Sequence, residues 1–395
     1  MFLQFFVWGG WFVTLGTFLA NNLNATGSQI SLAFSTQSWG AIIAPLFIGL
    51  IADRYFNAEK VLGVLHLLGA VLLFLMGKSE SYSIFYPFIF FYMILYMPTI
   101  ALVNSISFSQ MKNKSAEFPL IRTFGTVGWI VSGLIISYVF EWDEKESIDA
   151  GSLSNTFSMV SFVSFLMGAF SFFLPKTPPA VNNKKFSMKD SFGLEALKLL
   201  REKNFLIFFI SSILICIPLA FYYQQTNPFL VEVGLKNPTG IMAMGQVSEV
   251  IFMLLLPLFF YKFGLKKTIL VGMFAWVIRY FLFSYGNTDN LTFMLIIGII
   301  LHGICYDFFF VSGQIYTDYK ASEKIKSAAQ GMITLATYGV GMLIGFWVAG
   351  KISDFYILEN GEHSWREIWI IPAFFSILVI FLFILSFRDE EIDLK

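Results

Sequence analysis

PKTPPAVNNKKFSMKDSFGLEALKLLREK, residues 175 to 203, is the longest polar stretch in a chain of 395 residues that is 57% hydrophobic and 13% charged. Soluble domains are about half apolar and a quarter charged, so this composition, with a mean hydropathy of +0.71, places the chain in lipid. In that setting the stretch reads as a proline-containing linker followed by a basic amphipathic surface helix around Asp190 to Lys203. On either side of it, apolar runs recur at about the 20 residues that a bilayer core requires. The expected spans are residues 2 to 22, 35 to 53, 60 to 77, 83 to 108, 119 to 140 and 156 to 174 before the linker. After it come 204 to 226, 240 to 260, 267 to 285, 291 to 315, 327 to 350 and 366 to 387. The chain is therefore expected to be all-α, with twelve transmembrane helices in two bundles of six, residues 1–174 and 204–395, joined by residues 175–203.

The two halves echo each other. GLIADRYFNAEKVLG (49–63) and LPLFFYKFGLKKTILVG (256–272) place a basic turn at the same point of each half. GTVGWIVSGLI (125–135) and ATYGVGMLIG (336–345) are both rich in small residues. Gly128 with Ser132, and Gly341 with Gly345, have the small-xxx-small spacing that lets membrane helices approach closely. Two six-span repeats around a midplane cavity are the architecture of the major facilitator superfamily.

Orientation follows from Lys and Arg, which are retained on the cytoplasmic side. With the first helix starting inside, most of the basic residues, seven of them from Lys176 to Lys203, fall on one side. Both termini are thus expected to be cytoplasmic. The N-terminus, MFLQFFVWGGWFVTLGTFLA, lacks the basic start and cleavage site of a signal peptide, so it is expected to be a permanent span. Basic and acidic residues balance at 26 each, which leaves no global field to recruit nucleic acid.

Four ionisable residues fall inside spans: Arg122, Glu249, Arg279 and Asp307. Each costs roughly 2.5 to 3.5 kcal/mol at a helix centre unless it faces a partner or a wet cavity. Two are positive and two negative, so pairing can neutralise the set and they are expected to face inward, with Arg279 as the partner of a carboxylate or a carbonyl. In LHGICYDFFFVSGQ (301–314), helical spacing sets His302, Tyr306 and Phe310 on one stripe beside Asp307. In GIMAMGQVSEVIF (240–252), Gln246 and Glu249 share a face. In FYYQQTNPF (221–229), Tyr222 and Gln225 do, and the helix should loosen where Asn227 precedes Pro228. Helix one adds Gln4, Trp8 and Trp11, and helix four Tyr96, Thr99 and Asn104. Aromatic faces with amides and carboxylates suit a planar, uncharged, polyhydroxylated ligand. Asp53 and Arg54, at the end of helix two, read as a gate latch.

Seven stretches together carry a resemblance that covers nearly the whole chain: LQFFVWGGWFVTLGTF (3–18), YMPTIALVNSIS (96–107), FPLIRTFGTVGW (118–129), GQVSEVIF (245–252), AWVIRYFLFSYG (275–286), YDFFFVSGQIY (306–316) and SAAQGM (327–332). With them the chain resembles the nucleoside:proton symporter family of the major facilitator superfamily, the bacterial nucleoside permeases. The resemblance implies proton-driven nucleoside import by alternating access in a cytoplasmic (inner) membrane. It maps Arg122, Thr126 and Trp129 to the nucleoside site, along with Gln246, Glu249, Tyr306 and Asp307. The chain departs from the well-known permeases at His302, where they carry a tyrosine.

Asp307 is the first choice for the proton carrier, because a buried carboxylate can be switched by its surroundings, and Glu249 for ribose recognition. The proton is expected as coupling ion, with no cofactor and no metal: Cys216, Cys305 and the three histidines stand too far apart for ligand spacing. The chain is expected to work as a monomer in the lipid bilayer, without nucleic acid. A sugar or oligosaccharide symporter on the same fold is the nearest alternative. A non-transporting nucleoside receptor would usually carry a signalling domain, and a hydrolase would need a nucleophile or metal constellation.

Overall fold

A computed structural model describes residues 1–47, 55–179, 194–322 and 325–390. A bilayer offers no water to the backbone, so apolar runs of this length satisfy their N–H and C=O groups internally as helices. The helices of the first half are α1 (Phe2–Phe12), α2 (Leu15–Leu23), α3 (Gly27–Phe47), α4 (Ala58–Gly77), α5 (Tyr82–Gln110), α6 (Lys114–Leu134), α7 (Lys145–Asp149) and α8 (Ser154–Ser171). Those of the second are α9 (Lys203–Glu232), α10 (Pro238–Tyr285), α11 (Thr292–Ile300), α12 (His302–Tyr306), α13 (Ser312–Lys320), α14 (Lys326–Thr334), α15 (Met342–Phe355) and α16 (Trp365–Ser386). π-Helical turns at Asp307–Val311 and Leu335–Gly341 join neighbouring helices into longer runs, and a third at Ile135–Val139 extends α6.

By length and apolarity, eight helical runs among the described residues can cross a membrane, and nine if α1 and α2 form one span bent by 40°. The bend falls beside Thr14, whose hydroxyl bonds back to the Trp11 carbonyl at 3.2 Å and loosens the ladder there. The 48-residue α10 contains two of the expected spans. It breaks at Gly264, whose φ of 73° is open to glycine at no steric cost. Pro228, by contrast, does not end its helix, since α9 runs on to Glu232. The linker ends in a 3₁₀ helix, Leu194–Arg201, directly before α9. Asp53 and Arg54 lie outside the described residues.

Residues 1–191 with Lys236–Ala243 form one compact unit, and residues 192–235 with 244–395 form another. In the first, α1 packs on α6 and α8, α4 on α8 and α5, and α3 on α5. Small residues permit this: a methyl group at Gly128 would collide with the Phe2 carbonyl, and one at Gly10 would lie 2.5 Å from Val160. In the second unit α9 packs on α15 and α16, and a Cβ at Gly345 would sit 2.6 Å from that of Ala220. Large apolar side chains on the outer faces, such as Leu385 (82% exposed) and Leu254 (78%), meet the lipid.

Candidate functional site: a buried carboxylate and an aromatic face

The polar face of the second unit begins where two backbones touch. Gly303 donates its N–H to Ser248 Oγ at 3.0 Å, and a Cβ on Gly303 would lie 2.5 Å from the Ser248 carbonyl carbon. Only glycine fits there. That contact brings α12 against α10 and so sets His302, Tyr306 and Asp307 beside the turn carrying Gln246 and Glu249. Both of the latter are half-buried.

Around His302 the aromatic rings form a continuous surface. Tyr222 stacks on it at 5.0 Å and 18°, Tyr223 meets it edge-on at 6.4 Å, and Tyr306 follows at 6.0 Å. Phe310 lies 5.3 Å beyond Tyr306, so the stripe expected from helical spacing exists. The hydroxyls of Tyr306 and Tyr338 share a hydrogen bond of 2.8 Å. Arg279 lies with its guanidinium 4.1 Å from the Tyr222 ring centre and 5.1 Å from that of Trp276. Its Nε donates to the Gly298 carbonyl at 2.9 Å.

Asp307 is fully buried, and neither of its carboxylate oxygens has a hydrogen-bond partner among the described residues. It opens the π-helical turn Asp307–Val311, a local irregularity frequent at functional sites. Among the described residues neither Asp307 nor Arg279 pairs with an opposite charge: the buried guanidinium meets a carbonyl, one of its two expected kinds of partner, and two π faces. Arginine's planar, weakly hydrated cation permits this.

The first unit carries its own aromatic wall. Arg122 lies with its guanidinium 4.3 Å from the Phe5 ring centre. Trp129 packs on Trp8 at 5.6 Å and on Phe12 at 6.4 Å. With Thr126 between them, the three residues follow one stripe of α6, and all are half-buried.

Gln225 is placed differently from its expected neighbour Tyr222. It is buried, and its amide donates to the Ala349 carbonyl of α15 at 3.4 Å. The adjacent Gln224 is fully buried, with neither amide atom hydrogen-bonded among the described residues. Tyr338 was invisible to the sequence reading, because a tyrosine in a small-residue helix gives no sign of which ring it will meet.

A family model described as "Nucleoside H+ symporter" matches residues 1–392. The chain is 41% identical to the putative nucleoside transporter YegT of Escherichia coli over 99% of its length and 93% of that protein's. It is 31% identical to the xanthosine permease of Escherichia coli over 98% of its length and 94% of that protein's. Among solved structures, the crystal structure of nucleoside transporter NupG superposes with a TM-score of 0.87 at 29% identity, over 98% of this chain and 97% of that one. The fold recurs at 14% identity in a bacterial homologue of the lysosomal transporter Spinster, with a TM-score of 0.74 over 98% and 95% of the two chains. With a family model spanning almost every residue, the chain belongs to the nucleoside H+ symporter family of membrane transporters.

Proposed function

We propose that this protein imports nucleosides by alternating access, with Asp307 as the residue that takes and releases the coupling proton. Asp307 itself carries the reading. A buried carboxylate with no hydrogen bond among the described residues is costly as an anion and tolerable when protonated. Loading and unloading a proton there is therefore tied to what surrounds it. Glu249 and Gln246, half-buried on one face of α10, are assigned to the ribose hydroxyls and base edge. Tyr222, His302 and Tyr306 supply π faces for a planar base, and Gln225 lines the same helix as Tyr222. In the first unit we assign substrate contact to Arg122, Thr126 and Trp129. The proton is the coupling ion and no cofactor takes part. We further take the protein to work as a monomer in the inner membrane; its termini are assigned to the cytoplasm, an orientation that the distribution of Lys and Arg supports.

Uptake of radiolabelled uridine into proteoliposomes with an imposed pH gradient tests the assignment. The wild-type protein is expected to accumulate uridine only with the gradient. Asp307→Asn is expected to lose accumulation while retaining uridine exchange at equal pH. Undiminished gradient-driven uptake by Asp307→Asn would sink it. Competition by free nucleosides but not by disaccharides separates this function from a sugar symporter.

A further inference from the structure

In the first unit a buried hydrogen-bonded chain runs through four helices and ends at the aromatic wall. His66 of α4 is buried, with both ring nitrogens engaged. Nδ1 lies 3.1 Å from Ser164 Oγ of α8, and Nε2 lies 2.7 Å from Gln4 Oε1 of α1. Ser164 in turn donates to the His66 carbonyl at 2.9 Å. Gln4, fully buried, passes the chain on by donating from Nε2 to Thr99 Oγ1 of α5 at 2.7 Å. The hydroxyl of Tyr96, one turn earlier on α5, donates to the Gln4 carbonyl at 2.7 Å.

One turn beyond Gln4 stands Trp8. Its ring meets Tyr96 at 5.6 Å and Trp129 at 5.6 Å, edge-on in both cases. Its indole N–H is buried without a hydrogen-bond partner among the described residues. A buried donor left unmatched costs about 1–3 kcal/mol, and a ligand acceptor arriving beside Trp8 would relieve that cost. Gln4 links α1, the helix that carries Trp8, to α5 through Thr99 and Tyr96. The same Gln4 side chain meets His66 of α4 through its Oε1.

We propose that His66 is a positioning residue for nucleoside recognition: through its Nε2 contact to Gln4 it sets α1 so that the Trp8 indole N–H meets the substrate. The inference rests on the nucleoside-transport reading and concerns residues that reading does not use. It also differs from a packing role in a way that substitution resolves. Glutamine at position 66 can reproduce the Nε2 contact to Gln4 but not the Nδ1 contact to Ser164. Asparagine can reproduce the second and not the first.

The experiment is a comparison of His66→Gln, His66→Asn and His66→Leu as full-length protein, with size-exclusion profile and thermal stability as folding controls. KM and maximal rate for uridine are read at a fixed pH gradient. His66→Gln is expected to keep KM within about two-fold of wild type. His66→Asn and His66→Leu are expected to raise it about ten-fold, the scale of one mispositioned hydrogen bond, with the maximal rate largely kept. Trp8→Phe, which keeps a ring and removes the N–H, is expected to raise KM similarly and to be additive with neither. A KM for His66→Asn equal to that of His66→Gln, or an unchanged KM in Trp8→Phe, would overturn the proposal. Failure of the transport reading is separate: it would appear as absent uridine uptake in wild type, or as full accumulation in Asp307→Asn.

Discussion

The guanidinium of Arg279 lies 4.1 Å from the centre of the Tyr222 ring, so a fully buried cation in the second unit rests on a π face. A second face, that of Trp276, stands 5.1 Å away. A desolvated contact of this kind contributes about 2 kcal/mol, and lysine's compact, strongly hydrated ammonium cannot reproduce it. Arg279→Lys is therefore expected to lower the melting temperature by several degrees and uridine uptake about ten-fold. Thermal melting of the purified protein checks the first and initial-rate uptake the second; an unchanged melting curve would contradict the account.

Tyr306 and Tyr338 share one hydroxyl hydrogen bond of 2.8 Å. Removing either hydroxyl takes away the one bond between them, worth about 0.5–1.5 kcal/mol, and removing both loses that same bond only once. Tyr306→Phe and Tyr338→Phe are each expected to weaken uridine binding, and the double variant to be weakened by less than the sum. Equilibrium binding to the four proteins of the cycle measures the coupling, and strict additivity would refute it.

Close helix approach predicts which glycines tolerate a methyl group. At Gly303 a Cβ would lie 2.5 Å from the Ser248 backbone, and at Gly341 2.7 Å from the Ile213 carbonyl, whereas at Gly331 nothing lies within 4 Å. Gly303→Ala and Gly341→Ala are expected to destabilise by about 1–3 kcal/mol, the usual cost of overpacking. Gly331→Ala is expected to be neutral or slightly stabilising, as alanine favours the helix. Thermal unfolding in detergent ranks the three.

The first turn of α10 is capped by residues about a hundred positions earlier in the chain. Asp143 Oδ2 accepts from the Thr239 N–H at 2.9 Å, Ser137 Oγ from Gly240 at 2.6 Å, and Glu144 Oε1 from Asn237 at 2.9 Å. All belong to the first unit. A lost cap costs about 1–2 kcal/mol, so Asp143→Ala is expected to speed amide exchange at Thr239 and Gly240 about ten-fold. Hydrogen exchange read by mass spectrometry at peptides covering 237–243 makes the measurement.

Much of this was legible in the amino-acid order. Apolar runs separated by short polar turns give helices in lipid because the backbone has no alternative there, and the small residues at Gly128 and Gly345 do mark close approaches. The stripe of His302, Tyr306 and Phe310 followed from 3.6-residue periodicity alone. The span count is less direct, since α10 holds two expected spans on either side of Gly264. Counting signs leaves open whether a buried cation finds an anion or a carbonyl; Arg279 meets the Gly298 carbonyl, and the two π faces beside it come from packing that the local sequence does not specify.

The sequence by itself determined that this chain is a bundle of membrane helices with four charges too costly to face lipid. Its motifs also identified its relatives. Which atoms satisfy those charges, and which do not, depends on how the helices pack. That packing left the Asp307 carboxylate without a hydrogen-bond partner among the described residues, turned Gln225 toward Ala349, and tied His66 to Gln4 across 62 residues. Periodicity fixes which side of a helix a residue occupies. The identity of the neighbour on that side depends on helix packing, which is set by distant glycines, prolines and π-helical turns rather than by the local sequence.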